Sequence, residues 1–176
     1  MRKIICLTGE ARSGKDTTGL FLVEKYNFKR FAFADGVKKT AAELEMPVSI
    51  KGLPDTSYGD VLDTIGYELA KPVSNIRDVT IKVGEGLRNC ISADIWANMV
   101  MEEMRHHPND NIVITDMRQQ NEYDLLKWHF GVELWKICKS QDETSPLDEV
   151  VDKCIYNNGT IKNLHDKIDL MMKEDN

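Results

Sequence analysis

The feature that most constrains this chain is a glycine-framed loop, Gly9-Glu10-Ala11-Arg12-Ser13-Gly14-Lys15, directly after the apolar run Lys3-Ile4-Ile5-Cys6-Leu7. A continuous apolar run of this kind reads as a strand covered on both faces, as in a parallel sheet with helices on each side. The segment from Asp16 to Tyr26 then reads as a helix, with Leu20, Phe21 and Val23 among its apolar positions. Strand, GxxxxGK loop and helix in that order form a phosphate cradle. Gly9 and Gly14 permit backbone angles that a Cβ disfavours. Successive backbone N–H groups can then curl around a phosphate, with the helix dipole behind them. Lys15 supplies a mobile positive charge for the outer phosphates of a nucleotide. The residue after Lys15 is Asp16, with Thr17 next, where such loops usually carry a Ser or Thr that meets Mg²⁺. Two readings of Asp16 stand. It holds Mg²⁺, directly or through water, or it only complements the dipole of the first helical turn.

The rest of the composition limits what surrounds that cradle. At 176 residues, 41% hydrophobic and 30% charged, the chain fits one ordinary globular domain with a real core. A net charge of −6 argues against sequence-independent duplex binding, which needs a basic face. It does not argue against a small phosphorylated ligand, for which a few convergent Arg and Lys residues suffice. Cys6, Cys90, Cys138 and Cys154 are far apart in sequence and form no CxxC pair, so no zinc or redox motif is expected. The run Ile4 to Leu7 is too short for a signal peptide or a membrane span, which makes four reduced thiols in a cytoplasmic protein the expectation.

Further strands are expected at Arg30 to Phe33, Ile112 to Thr115 and Val132 to Cys138, with a short one at Ile155-Tyr156. Gln120 to Phe130 reads as a helix with Leu125 and Leu126 turned inward. Ile161, Leu164, Ile168 and Met171 recur at helical spacing, with Thr160 as the N-cap. Alternating strands and helices predict an α/β fold with a mostly parallel sheet. Between Lys38 and His107 the chain reads as mainly helical, divided by Pro47, Pro54 and Pro72, with Ser92 able to cap a helix carrying Ile95, Met99, Val100 and Met104. That stretch is too long for a simple crossover. It reads as a helical insert over a substrate site.

A second constellation, Asp116-Met117-Arg118, follows the strand Ile112 to Thr115. Ligands of parallel sheets bind at the carboxyl ends of strands, which puts Asp116 near a metal and Arg118 near a phosphate. The plainer alternative is an N-capping Asp and a surface Arg. A third piece is Gly84-Glu85-Gly86-Leu87-Arg88, followed by Ser92-Ala93-Asp94-Ile95-Trp96.

Taken in order, these motifs resemble a known family. The GKDT run from Gly14 to Thr17, Phe33-Ala34-Asp35 with Lys38, the G-x(3)-R and D-I-W runs, and Ile114 to Glu122 resemble the deoxynucleoside monophosphate kinases of tailed phages and their bacterial relatives. These belong to the adenylate-kinase-like P-loop superfamily. Asn158-Gly159-Thr160 followed by Leu164 looks like the family's closing motif, so the resemblance spans nearly the whole chain. It implies a three-layer P-loop NTPase fold: a parallel five-stranded sheet flanked by helices, an acceptor-binding helical insert at 36–107 and a short lid at 139–150.

The resemblance also implies roles. Gly9, Arg12, Ser13, Gly14, Lys15, Asp16, Thr17, Asn158 and Gly159 would bind ATP, with Mg²⁺ at Asp16. Arg88 and Arg118 would clamp the acceptor phosphate or the moving group. Asp35 and Lys38 would open the acceptor-side helix, and Trp96 would stack on or border the acceptor nucleotide, unless it is simply core. Asp116 would orient metal, water or arginines. Glu122 would hold one of those arginines, unless it is a solvent-facing helical acid. Lys15, Arg88, Asp116 and Arg118 are thus the expected catalytic set. The lid departs from the family, because Lys139 to Pro146 contains no arginine and two acids. Lys136, Lys139 or Arg12 would have to supply that charge.

The expected partners are ATP and a nucleoside monophosphate, with no nucleic acid and no membrane, for a monomer or homodimer in the cytoplasm (the host's, if phage-encoded). Two alternatives share the loop chemistry. One is a related small-molecule kinase of the dephospho-coenzyme A or phosphomevalonate type. The other is an ATP-binding regulatory protein without an acceptor, which would not need Arg88, Asp116 and Arg118.

Overall fold

The computed structural model describes residues 2–140 and 143–174, and Gln141 and Asp142 of the expected lid lie outside the described residues. The chain forms two compact units, Met1–Phe33 with Val100–Asn176, and Ala34–Met99.

The first unit is built on five parallel strands: β1 (Ile4–Thr8), β2 (Lys29–Phe31), β5 (Ile112–Ile114), β6 (Glu133–Cys138) and β7 (Lys153–Tyr156), in the order β2-β5-β1-β6-β7. Strand β1 is buried throughout, as its unbroken apolar run requires. On one face Ile5, Leu7, Val113, Trp135, Ile137 and Ile155 join Leu22 of α1 (Lys15–Tyr26) and Leu164, Ile168 and Met172 of α8 (Ile161–Glu174) in a single core. Helices α1 and α8 pack together, and Lys25 and Tyr26 both bind Asp169 across that contact. Thr160 serves as the expected cap: its Oγ1 accepts from Asn163 N at 3.2 Å. Helix α7 (Gln120–Phe130) ends at Gly131, which adopts the left-handed conformation at φ 67°.

One boundary differs from expectation. Strand β2 stops at Phe31, and Phe33 already opens α2 (Phe33–Glu43). The Phe-Ala-Phe run carries apolar residues for both elements, so sequence alone runs the strand too far.

The second unit contains α2, α3 (Tyr58–Ile65), α4 (Tyr67–Ala70), α5 (Ile76–Cys90) and the start of α6 (Ile95–Arg105). Its helical character is as expected. The small antiparallel pair β3 (Pro47–Val48) and β4 (Thr56–Ser57) is not, being too short to leave a period in the sequence. Ser57 caps α3 by accepting from Asp60 N at 3.1 Å. Tyr58 is buried, and its hydroxyl meets Thr80 Oγ1 at 2.8 Å, which joins α3 to α5. No helix among the described residues is long and apolar enough to cross a membrane.

Candidate active site

Strand β1 lies between β5 and β6, so three neighbouring strands deliver three chain segments to one edge of the sheet. From β1 comes the loop 9–14, from β5 the run Thr115 to Arg118, and from β6 the segment beginning at Lys139.

The loop takes its shape from three residues with positive φ: Gly9 at 133°, Arg12 at 63° and Gly14 at 112°. Gly9 is required twice over. A Cβ there would lie 2.1 Å from the backbone oxygen of Ile137 in β6. At Gly14 a Cβ would meet Asn157 Nδ2 at 2.4 Å. That same Nδ2 donates to Ser13 O at 2.8 Å and so ties the loop to the chain after β7. Gly19, one turn into α1, lets the helix approach β5, since a Cβ would sit 2.6 Å from a Thr115 methyl.

Lys15 is nearly buried, and its Nζ donates to Gly9 O at 2.8 Å and Glu10 O at 2.6 Å. Burial holds its pKa below the usual lysine value, and the Arg118 guanidinium pushes the same way, while Asp16, Asp116 and Glu143 oppose them. These charges come from all three segments. Ser13 Oγ is buried and has no partner among the described residues, which leaves a donor and an acceptor for a ligand inside the loop. Asp16 is exposed at the head of α1 and Thr17 is half-buried beside it.

On the β5 side, Asp116 Oδ1 accepts from Phe33 N at 2.9 Å. Glu122 is only 1% exposed, and its Oε2 accepts from Arg118 N at 3.2 Å and Gln119 N at 3.1 Å. On the β6 side, Lys136 is buried and donates to Glu143 O and, at 2.7 Å, to Asp148 Oδ1. Glu143 Oε1 accepts from Lys139 N and Ser140 N. The described part of the lid is therefore a tied-down segment whose charge near Lys15 is negative.

Known proteins match this arrangement. Residues 3–55 match the family model described as deoxynucleotide monophosphate kinase. An Acanthamoeba polyphaga mimivirus protein named "Putative deoxynucleotide monophosphate kinase" is 27% identical over 187 residues, covering 94% of this chain and 93% of the relative. Among solved structures, dephospho-CoA kinase from Campylobacter jejuni superposes with a TM-score of 0.53 at 12% identity, covering 98% of this chain and 97% of that one. The chain resembles deoxynucleotide monophosphate kinases in sequence and shares its fold with a dephospho-CoA kinase. The resemblance read from the motifs stands, and so does the five-stranded parallel architecture.

Within this fold the expected residues fall into groups. Gly9, Arg12, Ser13, Gly14, Lys15, Asp16 and Thr17 share the loop and the first turn of α1, and Arg118 and Asp116 join them electrostatically at Lys15. Asn158 and Gly159 are exposed, and the side chain that grips the loop is that of the preceding residue, Asn157. In the second unit, Asp35 and Lys38 share the first turns of α2 at 3.8 Å, and Lys38 Nζ also sits 4.5 Å from the Tyr67 ring centre. Arg88 is half-buried in the last turn of α5.

Some expectations need correction. Trp96 is 1% exposed and its indole N–H donates to Gly84 O at 3.0 Å, so it is a satisfied core residue, not an open stacking surface. Glu122 is no solvent-facing acid, and its hydrogen bonds go to the backbone at Arg118 and Gln119. Lys136 serves the lid as an anchor and not as a free charge. Cys138 and Cys154 are distant only in sequence, for their sulfurs lie 3.3 Å apart. Asn157 and Glu143 were missed as site residues, and only the position of Asn157 beside the expected closing motif offered a signal.

Proposed function

We propose that the protein transfers the γ-phosphate of ATP to a (deoxy)nucleoside 5′-monophosphate, giving the diphosphate. The observation that carries this is the convergence at Lys15. A phosphate loop with a buried lysine is met by an arginine and an aspartate from the adjacent strand end, which a nucleotide binder without an acceptor does not need. The match of residues 3–55 and the viral relative support this choice of acceptor class.

In this reading the loop N–H groups and Ser13 Oγ cradle the donor phosphates, and Lys15 exchanges its bonds to Gly9 O and Glu10 O for phosphate oxygens. Arg118, with its backbone fixed by Glu122, neutralises charge on the transferring group. The acceptor side is assigned to the unit Ala34–Met99, through Asp35, Lys38 and Arg88. That unit holds a cavity of about 480 Å³ walled by Ile50, Leu53, Val61 and Ile65, a size and lining suited to a flat base. No general base is required, because a phosphate monoester is already ionised.

The donor residues suit Mg²⁺. No group of three or more His, Cys, Asp or Glu among the described residues forms a metal cage, and Asp16, exposed at the head of α1, fits an ion held mainly by phosphates and water. Bound there, the ion neutralises donor oxygens.

The test is turnover of labelled ATP with each ribo- and deoxyribonucleoside monophosphate in turn, with dephospho-coenzyme A and phosphomevalonate as controls. The expected result is ADP and a nucleoside diphosphate from at least one monophosphate. Full activity in a Lys15→Ala variant would sink the mechanism, and turnover of a control acceptor alone would replace the substrate class.

A further inference from the structure

Strands β6 and β7 run parallel, with Lys136 opposite Cys154 and Cys138 opposite Tyr156. Alternate residues of a strand share a face, so Cys138 and Cys154 are diagonal neighbours on one face. Their sulfurs are 3.3 Å apart, and both thiols are free. Cys138 is 2% exposed, whereas Cys154 is partly open to solvent.

The same strand ends shape the donor loop. Asn157 N donates to Cys138 O at 2.7 Å, and Asn157 Nδ2 donates to Ser13 O at 2.8 Å. The neighbouring Ile137 O is the atom against which Gly9 packs. The thiol pair therefore lies beside the contacts that hold the loop in its phosphate-binding form.

We propose that Cys138 and Cys154 form a reversible dithiol–disulfide modification site whose oxidation weakens nucleotide binding. The oxidant class is a small-molecule disulfide such as glutathione disulfide. The Cys154 thiolate attacks one sulfur of the reagent, forming a mixed disulfide and expelling one thiolate. The Cys138 thiolate then attacks Cys154 Sγ, closing the intramolecular bond and expelling the second. Two protein thiols are oxidised to one disulfide, the reagent's S–S bond is reduced to two thiols, and the two protein protons end on those products. The order follows from access. Cys154 is reachable, while burial and the neighbouring Cys154 hold the Cys138 thiol up at about 12, with the Lys136 ammonium opposing.

The consequence for the loop follows from strand geometry. A diagonal pair across parallel strands has its Cα atoms roughly 8 Å apart in an ideal sheet, beyond the usual reach of a disulfide, so closure draws the two strand ends together. Asn157 follows directly on β7 and moves with it. Strained disulfides of this kind are readily reduced, the property a reversible site needs.

The experiment uses the full chain with Cys90→Ser, which removes the exposed thiol from intermolecular exchange. The protein is treated with glutathione disulfide, mapped by non-reducing peptide mass spectrometry, and titrated with ATP by calorimetry. The expected result is a Cys138–Cys154 link, roughly five- to tenfold weaker ATP binding, as for one lost loop hydrogen bond, and recovery with dithiothreitol. Adding Cys154→Ser should leave affinity unchanged by the oxidant. Absence of the link, a link with unchanged affinity, or an equal loss in the Cys154→Ser protein would overturn the proposal. A reduced protein that binds no ATP would remove the donor-site reading and this proposal together, whereas an acceptor other than a nucleoside monophosphate would leave it intact.

Discussion

Gly9→Ala is the sharpest test of how the loop is built. The native φ of 133° lies where L side chains are rarely found, and holding alanine there costs about 1–3 kcal/mol. The added Cβ would sit 2.1 Å from Ile137 O. That oxygen belongs to β6, which pairs with both β1 and β7, so it cannot swing aside as a side-chain tip would. The loop must yield instead, by about 1 Å to reach even a tight contact, and a misplacement of that size at a reacting centre costs on the order of 10²-fold in rate. Gly131→Ala is the matched control: its φ is 67°, but nothing lies within 4 Å of a Cβ. The assay is ADP release with the preferred acceptor, alongside thermal unfolding of both variants. Gly131→Ala should lose stability and keep its turnover. Gly9→Ala should lose stability and about two orders of magnitude in kcat/KM. A Gly9→Ala protein within threefold of the parent would refute the claim that contact with β6 sets the loop.

Other outcomes follow from the same geometry. Glu122→Ala strips a buried acceptor from the N–H groups of Arg118 and Gln119, and should cost about 1–3 kcal/mol in denaturant unfolding together with a fall in kcat. Asp148→Asn should speed amide exchange at Lys139 and Ser140, because Lys136 loses the ion pair that helps it hold the Glu143 carbonyl. Asp148 has a lowered pKa through Lys136, so its support for this segment is present above the ordinary carboxylate range and lost as pH falls through the lowered value. Lys15 also has a lowered pKa in the empty protein, and phosphate binding favours its charged form, so ATP affinity should weaken with rising pH before the ordinary lysine range is reached, as titrations across alkaline pH would show.

Legibility divided along physical lines. The strands β1 and β5 were readable because burial on both faces leaves unbroken apolar runs, and the loop was readable because its glycines answer a local backbone demand. The loop-side partners were not. Asn157 reaches Ser13 and Cys138 reaches Cys154 only because β6 and β7 pair in one particular register, and a single sequence carries no record of register. Trp96 was misread for another reason. A motif says that a residue is needed but not which of its atoms is used. The Trp96 N–H is consumed by Gly84 O, whereas Glu122, expected to hold an arginine, accepts from the backbone N–H of Arg118.

The charges around Lys15 make a last requirement explicit. Among the charges acting on it are one further cation, Arg118, and three carboxylates, Asp16, Asp116 and Glu143. A bare triphosphate would add several more negative charges, and at the short distances inside such a site the repulsion is far stronger than in water. On the proposed reading a divalent cation accompanies the donor, and Asp16, exposed at the head of α1, meets it. Asp16→Asn separates the two readings of this residue. If Asp16 serves the metal, the variant should bind metal-free ATP several-fold more tightly than the parent, because one repulsive charge is gone, while its turnover with Mg²⁺ falls and needs more of the ion. If Asp16 only complements the helix dipole, metal-free affinity would rise in the same way but the Mg²⁺ dependence of turnover would not move, and the metal-binding role would be lost.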